Sequence, residues 1–479
     1  MSATLEARAE CPINRLHGRF LLRQLEFSEQ YASMYRRRVE QQHEKALRNI
    51  EKVCPSSAKQ YRVLELPPGV PSTCVGVLYK EMKLLPHFLD EYQRELVRID
   101  AGGDDDDDME EAIAEEDVGQ NIGEEVLDTT ATREQAATME HYSACHAQDE
   151  VYLEDDSGRV LLSGINAERF STGIVLGVYG TLHANGVFEI LSYTFSGLES
   201  LYVDRPVPAN KDPCYVAVVC GLEVGIPDSD NPAALHGRLS VEMLIDFLGG
   251  RLGDEKLLNL SKNISRLVIG GNSIAPTDEL RLKKKLRLDP SDHIRLNDDK
   301  AQLGIVTSAR LMKEFDQVLS RLAAAVEVEL LPGDNDMSDA FFPQQPLHPI
   351  LLPTAAKQSS VHLVTNPFEF VAQNGTTTES SGATDPSLCG VRFFVSAGQN
   401  INDVAGETKY EKRVDVFELV LQSGCMCPTA PNTLFSYPFK DKDPFLFNSA
   451  PHCFIACDQP QFETRYSTLN ELRVNTEAC

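Results

Sequence analysis

The sequence lacks three features that would narrow its function class at once. It has no tryptophan among 479 residues, and it has far fewer basic residues than acidic ones. It also has no apolar run near the roughly 18 residues of a membrane span. The 45 lysines and arginines against 72 aspartates and glutamates give a formal net charge of −27. A protein that coats nucleic acid needs a broadly positive surface, so this balance argues against that class and leaves room only for a local basic patch.

Much of the acidic excess lies in one tract. From Asp100 to Asp128 the sequence holds 14 acidic residues and no basic one, and outside this tract 58 acidic residues face 45 basic ones. The tract is of low complexity, repels itself and has few residues whose burial would offset the entropy of ordering. We therefore predict a disordered acidic insertion at about residues 100–140. A calcium loop is disfavoured because consecutive aspartates lack its alternating ligand spacing.

The start of the chain and its cysteines predict a reducing compartment. The first residues, MSATLEARAECPINR, lack the apolar core of a secretory signal. Twelve irregularly spread cysteines then predict reduced thiols in the cytosol or nucleus. The length predicts about two or three domains.

Residues 1–52 are predicted to be a helical segment. Its amphipathic stripe is formed by Phe27, Tyr31, Met34 and Tyr35. Arg36–Arg38 follow and are predicted to be solvated, with a DNA contact as the alternative.

Residues 53–200 show short strand-like runs separated by turn residues. The runs are Thr73–Tyr79, Arg159–Ser163, Gly173–Gly180 and Gly186–Tyr193. Asn185-Gly186 predicts a hairpin turn, because this pair readily takes positive φ. We predict an OB-fold β-barrel, interrupted by the acidic insertion, with a β-sandwich as the alternative. The barrel aromatics have few basic neighbours, so we expect it to bind protein rather than single-stranded DNA. These aromatics are Tyr79, Tyr179, Phe188 and Tyr193.

Residues 201–479 alternate between strand and helix patterns. Strands are predicted at Cys214–Gly221, Ser265–Gly271, Val326–Leu331, Ser360–Val364 and Val391–Val395. Helices are predicted at Val241–Leu248 and along the face of Leu311, Phe315, Val318, Leu319 and Leu322. This order predicts an α/β domain with a sheet covered by helices, interrupted by a polar loop at Gln373–Ser387.

The ends of these strands resemble those of calcineurin-like metallophosphoesterases. In that family the strand ends read D-x-H, G-D-x-x-D, G-N-H-D/E and G-H-x-H, and they hold two metals. The matching positions here are Gly221 and Glu223, Asn272 and Ala275, Asp334, Asn335 and Asp336, and Asp458 and Pro460. None is a histidine, and Asp336 alone keeps its type. The resemblance therefore implies a retained scaffold with no catalytic residue, metal site or cofactor.

Further motifs resemble the B-subunit family of replicative DNA polymerases, and within it the small subunits of DNA polymerase delta. These motifs are Pro343–Pro349, Leu363–Pro367, Ser396–Asp403, Pro428–Leu434 and Tyr437–Phe445. The N-terminal run from Phe27 fits as well, so the resemblance extends from about Phe27 to Gln461.

This resemblance implies an N-terminal helix and an OB-fold barrel (53–200), followed by an inactive calcineurin-like β-sandwich with flanking helices (201–479). It also implies a non-catalytic nuclear scaffold for replication and repair synthesis. Its expected partners are the C-terminal metal-binding region of the catalytic polymerase chain and a third accessory subunit, with DNA contacted mainly through the complex and no membrane. The alternatives are the equivalent subunit of polymerase alpha or epsilon and, from a different class, an active metal-dependent phosphoesterase.

Three other motifs receive structural interpretations. Cys425 and Cys427 suggest a metal site together with Cys453 and Cys457, with His452 as a further candidate ligand. Buried reduced thiols are the preferred interpretation. His348 is interpreted as a turn residue rather than an acid–base group. Arg281–Arg287 holds five basic residues and is read as a solvated face, with a nuclear-import signal or a phosphate contact as the alternatives.

Overall fold

The computed structural model describes residues 8–28, 30–83, 143–198, 213–225, 232–276, 298–373, 390–447, 449–469 and 472–478. The acidic insertion, Arg281–Arg287 and nearly all of the Gln373–Ser387 loop lie outside the described residues. The helices are α1 Ala32–Glu51, α2 Pro232–Leu248, α3 Glu255–Asn263, α4 Asp298–Ala323, α5 Gln399–Gly406 and α6 Arg413–Ser423. No helix in these ranges is long and apolar enough to cross a membrane.

A closed five-stranded barrel forms the first domain. Its strands are β3 Pro71–Glu81, β4 Glu150–Glu154, β5 Arg159–Ser163, β6 Val175–Leu182 and β7 Val187–Phe195, with the short β2 Lys59–Gln60 beside β3. The ring runs β3-β4-β5-β7-β6 and closes because β3 also pairs with β6. Only β5 and β7 are parallel among the ring pairs. The predicted OB-fold is confirmed, and the predicted hairpin turn lies between β6 and β7, where Gly186 has φ +83°.

Helix α1 lies against the barrel and begins later than the proposed stripe. The helix begins at Ala32, so Phe27 is outside it and 57% exposed. The buried face repeats every four residues instead: Met34, Arg38, Gln42, Ala46 and Ile50. The prediction of a solvated Arg38 is therefore wrong.

Arg38 is the largest fully buried side chain in the described residues. Its Nε donates to the Asp443 carboxylate at 2.7 Å, and its two terminal nitrogens donate to the carbonyls of Pro428 and Ala430 at 2.5 and 2.8 Å. Burial opposes the charged form, but Asp443 holds the pKa of the Arg38 guanidinium above its usual value. The charge survives burial because the Asp443 carboxylate and the two carbonyls compensate it. These acceptors all come from the second domain, so Arg38 joins the helix to that domain.

The second domain is a sandwich of two sheets. The first sheet has β8 Tyr215–Val219, β9 Ile264–Gly270, β10 Glu327–Leu331 and β11 Val361–Leu363, all parallel, in the order β11-β10-β9-β8. The second has β1 Ile13–Arg15, β12 Phe368–Ala372, β13 Val391–Ser396, β14 Cys453–Ala456, β15 Glu463–Leu469 and β16 Leu472–Ala478. Its order is β1-β12-β13-β14-β16-β15. The predicted sheet with helices is confirmed, with a second sheet facing it.

Alternating side chains explain the layers. On β9, Leu267 and Ile269 pack toward α2 and α4, whereas Val268 points between the sheets toward Phe368 and Ile455 of the second sheet. The residues before α1 also contribute, because β1 pairs antiparallel with β12. The segment predicted as helical thus contains an edge strand of the second domain.

Candidate functional site

The carboxyl ends of four strands meet at one edge of the sandwich. After β8, the amides of Gly221 and Glu223 donate to the carbonyls of Gly271 and Asn272, at 3.2 and 3.1 Å. After β10, the amide of Asn335 donates to Oδ1 of Asn272 at 3.2 Å. The structure therefore brings the first three matched motifs together, as expected for the ends of parallel strands.

The fourth matched motif, after β14, lies beside the third. Asp458 and Pro460 line the same groove as Asp334. Gly398, which follows β13, lies so close to Cys457 that a Cβ on it would come 2.0 Å from the Cys457 carbonyl oxygen. Tight packing thus holds the second sheet's strand ends at this edge.

Three turns at this edge hold residues in the left-handed region. Glu223, Asn272 and Asp458 have φ values of 43°, 51° and 53°. They are the non-glycine residues with positive φ in the part of the chain that the structure describes, and all three occupy positions matched to metal ligands of the phosphoesterases. Each such backbone costs about 1 kcal/mol. The sharp turns of this edge are thus present although the residue types differ.

Asp336 is used for structure. Its Oδ1 accepts from the amides of Ser273 and Ile274 at 2.9 and 3.3 Å, and its Oδ2 accepts from the amide of Gly333 at 2.8 Å and the Ser273 hydroxyl at 3.4 Å. Burial raises the pKa of this carboxyl to about 6, although the hydrogen bonds oppose the shift. Four donors occupy the lone pairs with which a carboxylate binds a metal.

The residues at this edge do not fit a two-metal centre. Gly221, Ala275 and Pro460 have no ligating side chain, and Asp336 is committed to the turns. Among the described ranges, no group of three or more His, Cys, Asp and Glu side chains is placed to hold a metal ion.

A groove of about 910 Å³ opens beside this edge. Its walls carry both signs of charge, from Asp334, Glu411, Asp458, Lys409 and Arg413. Contacts between the two domains build one wall: Lys409 Nζ donates to Glu168 Oε1 of the barrel at 2.7 Å. Next to it, the Tyr410 hydroxyl donates to the Arg169 carbonyl at 3.1 Å, and the Arg169 guanidinium lies 4.8 Å from the Tyr410 ring centroid.

Two aromatic side chains stand exposed where the groove meets β15. Phe462 follows the groove residue Gln461 and is 70% exposed, and Tyr466 is 80% exposed. The intervening Arg465 points the other way and donates to Asp415 of α6 at 2.6 Å. Exposed aromatics on one strand face are typical of protein interfaces rather than of free surface. This pair was not predicted from the sequence, although the alternation of Phe462, Thr464 and Tyr466 could have indicated it.

The other candidate residues from the sequence are buried in the fold or hydrogen-bonded to its backbone. Cys425 and Cys427 are fully buried, and burial raises the pKa of the Cys425 thiol to about 12 and that of Cys427 well above its usual value. His452 Nδ1 accepts from the Arg392 amide at 2.8 Å. His348 Nδ1 accepts from the Ile350 amide at 3.2 Å and caps a short 3₁₀ turn, which confirms it as a turn residue.

The barrel aromatics form no continuous platform. Phe188 is fully buried in the barrel core, and Tyr79 and Tyr179 are half-buried. Tyr193, at 41% exposure, packs edge-on against Phe170. Stacking of successive bases needs several exposed rings along a groove. That this barrel binds protein rather than DNA stays a prediction.

Two family models match the chain in consecutive parts. The model described as the OB-fold domain of the DNA polymerase delta subunit matches residues 30–193. The model for the B-type subunits of DNA polymerases alpha and epsilon matches residues 216–464. The first range holds α1 and the barrel, and the second holds most of the sandwich.

The chain is also similar to whole proteins from plants and yeast. The DNA polymerase delta small subunit of Arabidopsis thaliana is 28% identical over 467 residues, which cover 97% of this chain and 89% of that protein. That of Oryza sativa subsp. japonica is 30% identical over 404 residues, covering 84% and 76%. That of Saccharomyces cerevisiae is 28% identical over 470 residues, covering 92% and 82%.

Proposed function

This chain belongs to the B-subunit family of DNA polymerases, as a delta-type small subunit, and from this we propose that it is a non-catalytic scaffold of the polymerase delta complex. In that role it binds the C-terminal metal-binding region of the catalytic chain and docks a third accessory subunit. It acts in the nucleus, in replication and repair synthesis, and contacts DNA mainly through the complex.

One observation carries the non-catalytic part of the proposal: the Asp336 carboxylate is buried and accepts four hydrogen bonds from its own turns. This is the acid that a phosphoesterase ancestor would have kept for chemistry. We interpret the sandwich as a calcineurin-like phosphodiesterase domain whose strand ends now stabilise the fold.

The groove and the exposed pair Phe462 and Tyr466 form the docking surface in this proposal. Interface centres combine aromatic anchors with surrounding polar and charged groups that exclude water. Here Phe462 directly follows the groove residue Gln461, and Tyr466 lies further along the same strand face. Within the groove, Lys409 and Arg413 alternate with acidic side chains. A groove that carries both signs of charge can pair with polar and charged groups of a partner segment.

Co-purification with the native catalytic chain tests the role. The double variant Phe462→Ala/Tyr466→Ala should weaken the complex by about 10-fold or more, as the loss of aromatic anchors does. Ile350→Ala is the matched control, because Ile350 is 75% exposed on a different element, and it should bind as the unaltered chain does.

The outcomes separate the two parts of the proposal. Binding by the unaltered chain that the aromatic variant retains would relocate the docking surface and leave the role intact. Recovery of the alpha or epsilon catalytic chain instead of the delta chain would reject the assignment.

The competing enzymatic function is tested by manganese-dependent hydrolysis of a chromogenic phosphodiester. We expect no turnover by the pure chain. Turnover that Glu223→Ala abolishes, with the fold intact by circular dichroism, would overturn the proposal. Asp336 is unsuitable for this test, because its replacement also removes the hydrogen bonds that hold two turns.

A further inference from the structure

Two pairs of cysteine thiols flank strand β8. Cys214 directly precedes the strand and Cys220 directly follows it. Each thiol interacts with a cysteine far away in sequence: Cys214 with Cys11, and Cys220 with Cys457. The sequence predicted reduced thiols and grouped Cys457 with Cys425, Cys427 and Cys453, so these pairs were not foreseen.

The pair of Cys220 and Cys457 spans the two sheets. Cys457 follows β14 of the second sheet, and its amide donates to the Ser396 carbonyl at 2.9 Å. Its Sγ lies over the end of β9, where a Cβ on Gly270 would come within 2.2 Å of it. Cys220 packs against the same core between the sheets. Glycine at position 270 thus leaves the space that the Cys457 sulfur occupies.

The surroundings of Cys220 favour its thiolate. The Cys457 thiol donates a hydrogen bond to it, and the Asp458 amide donates another, so the pKa of Cys220 falls to about 7 although burial opposes the shift. At the other end of β8, burial and the neighbouring Cys214 raise the pKa of Cys11 to about 11. The two pairs have the same composition, but the pKa of a thiol is lowered in one pair and raised in the other.

We propose that Cys220 and Cys457 are a peroxide-sensitive dithiol that closes to a disulfide linking the two sheets. The Cys220 thiolate attacks hydrogen peroxide, the O–O bond breaks, and hydroxide leaves and takes up a proton as water, which leaves a sulfenic acid on Cys220. The Cys457 sulfur then attacks the Cys220 sulfur, the S–O bond breaks, and a second water leaves with the Cys457 proton. Two electrons pass from the sulfurs to one peroxide.

The disulfide would form directly behind the groove, because Asp458 and Gln459 line it and follow Cys457. The inference goes beyond the scaffold role and does not depend on it, since it concerns the free chain.

Peptide mapping of the full chain tests the proposal. The chain is treated with hydrogen peroxide at neutral pH, remaining thiols are blocked with N-ethylmaleimide, and the digest is analysed by mass spectrometry. We expect the Cys220–Cys457 linked peptide, reversed by dithiothreitol, while Cys11 and Cys214 stay alkylated at the same dose. Absence of this link, or earlier closure of Cys11–Cys214, would overturn the proposal.

Variants test the order of the two steps. Cys457→Ser should trap the sulfenic acid on Cys220, giving roughly 10-fold more dimedone adduct there than in the unaltered chain, because the resolving thiol is gone. Cys214→Ser is the matched control and should leave the Cys220–Cys457 link unchanged. Equal dimedone labelling of Cys220 with and without Cys457 contradicts the role of Cys457. The mapping of the unaltered chain is decisive even where a variant folds poorly.

Discussion

Replacing Asp443 by alanine leaves the Arg38 guanidinium buried without its carboxylate. Both side chains are 0% exposed, so water cannot replace the lost partner. Removing one member of a buried ion pair costs about 3–5 kcal/mol. The variant also removes the Oδ1 acceptor of the Phe445 amide, a 2.9 Å hydrogen bond. Because the carbonyls of Pro428 and Ala430 still accept from Arg38, we expect a loss of about 4 kcal/mol in the free energy of unfolding.

The neighbouring arginine is the matched control. Arg37 pairs with Glu40 at 2.7 Å on the same helix, but the two side chains are 44% and 49% exposed. Such surface pairs contribute about 0–1 kcal/mol, so Arg37→Met should change stability little. The double variant Arg38→Met/Asp443→Leu should recover part of the loss, because it leaves no unpaired buried charge.

Urea unfolding followed by far-ultraviolet circular dichroism measures these differences, since the chain has no tryptophan for fluorescence. The reasoning is refuted if Asp443→Ala unfolds within about 1 kcal/mol of the unaltered chain, the range of an exposed pair. It is also refuted if Asp443→Ala and Arg37→Met lower the free energy of unfolding equally.

Three further predictions follow from single residues or segments. Burial, with the neighbouring Asp403, raises the pKa of Glu407 from 4.5 to about 7. Between these pH values the folded chain binds a proton that the unfolded chain releases, so the stability contributed by this group falls as pH rises. Glu407→Gln should flatten this fall, measured by denaturant titrations across the same pH range. Gly173→Ala should lower the melting temperature of the chain strongly, because a Cβ there would lie 1.8 Å from the Pro428 carbonyl oxygen. Gly186 has a similar φ but open space around it, so Gly186→Ala should cost only about 1 kcal/mol of stability. Equal melting temperatures of the two variants would contradict this. Deleting 104–117 should leave the melting temperature unchanged, and a large fall would show that the tract contributes to folding.

Local patterns in the sequence were sufficient to predict much of the barrel and the first sheet. The predicted run Arg159–Ser163 coincides with β5, because the alternation of a half-buried strand is visible in neighbouring residues alone. The burial of Arg38 was not predictable in this way, since a charged side chain can be buried only beside a partner, and Asp443 lies 405 positions away. The role of Asp336 and the meeting of Cys220 with Cys457 depend equally on contacts between distant segments.

The motif positions at the strand ends were predictable, but their use was not. The order of strands in the sequence predicted that Gly221, Asn272 and Asp458 lie at one edge. Backbone angles and hydrogen bonds decide which side chains point toward a common site and which hold the turns. The spacing of residues in the sequence does not encode either. Burial of the Asp336 carboxylate is such a case.

The connection from β3 to β4 leaves and rejoins the barrel at adjacent points. Glu81 pairs with Glu150, the Lys83 amide donates to the Asp149 carboxylate at 3.1 Å, and the Ser143 hydroxyl is hydrogen-bonded to the Thr408 carbonyl at 3.0 Å. With both ends held, doubling the length of a connection adds only about 0.6 kcal/mol of closure entropy. The connection between Lys83 and Ser143 is therefore a suitable site for inserting a fluorescent protein. Such an insertion would allow the chain to be followed in living cells without changing its termini.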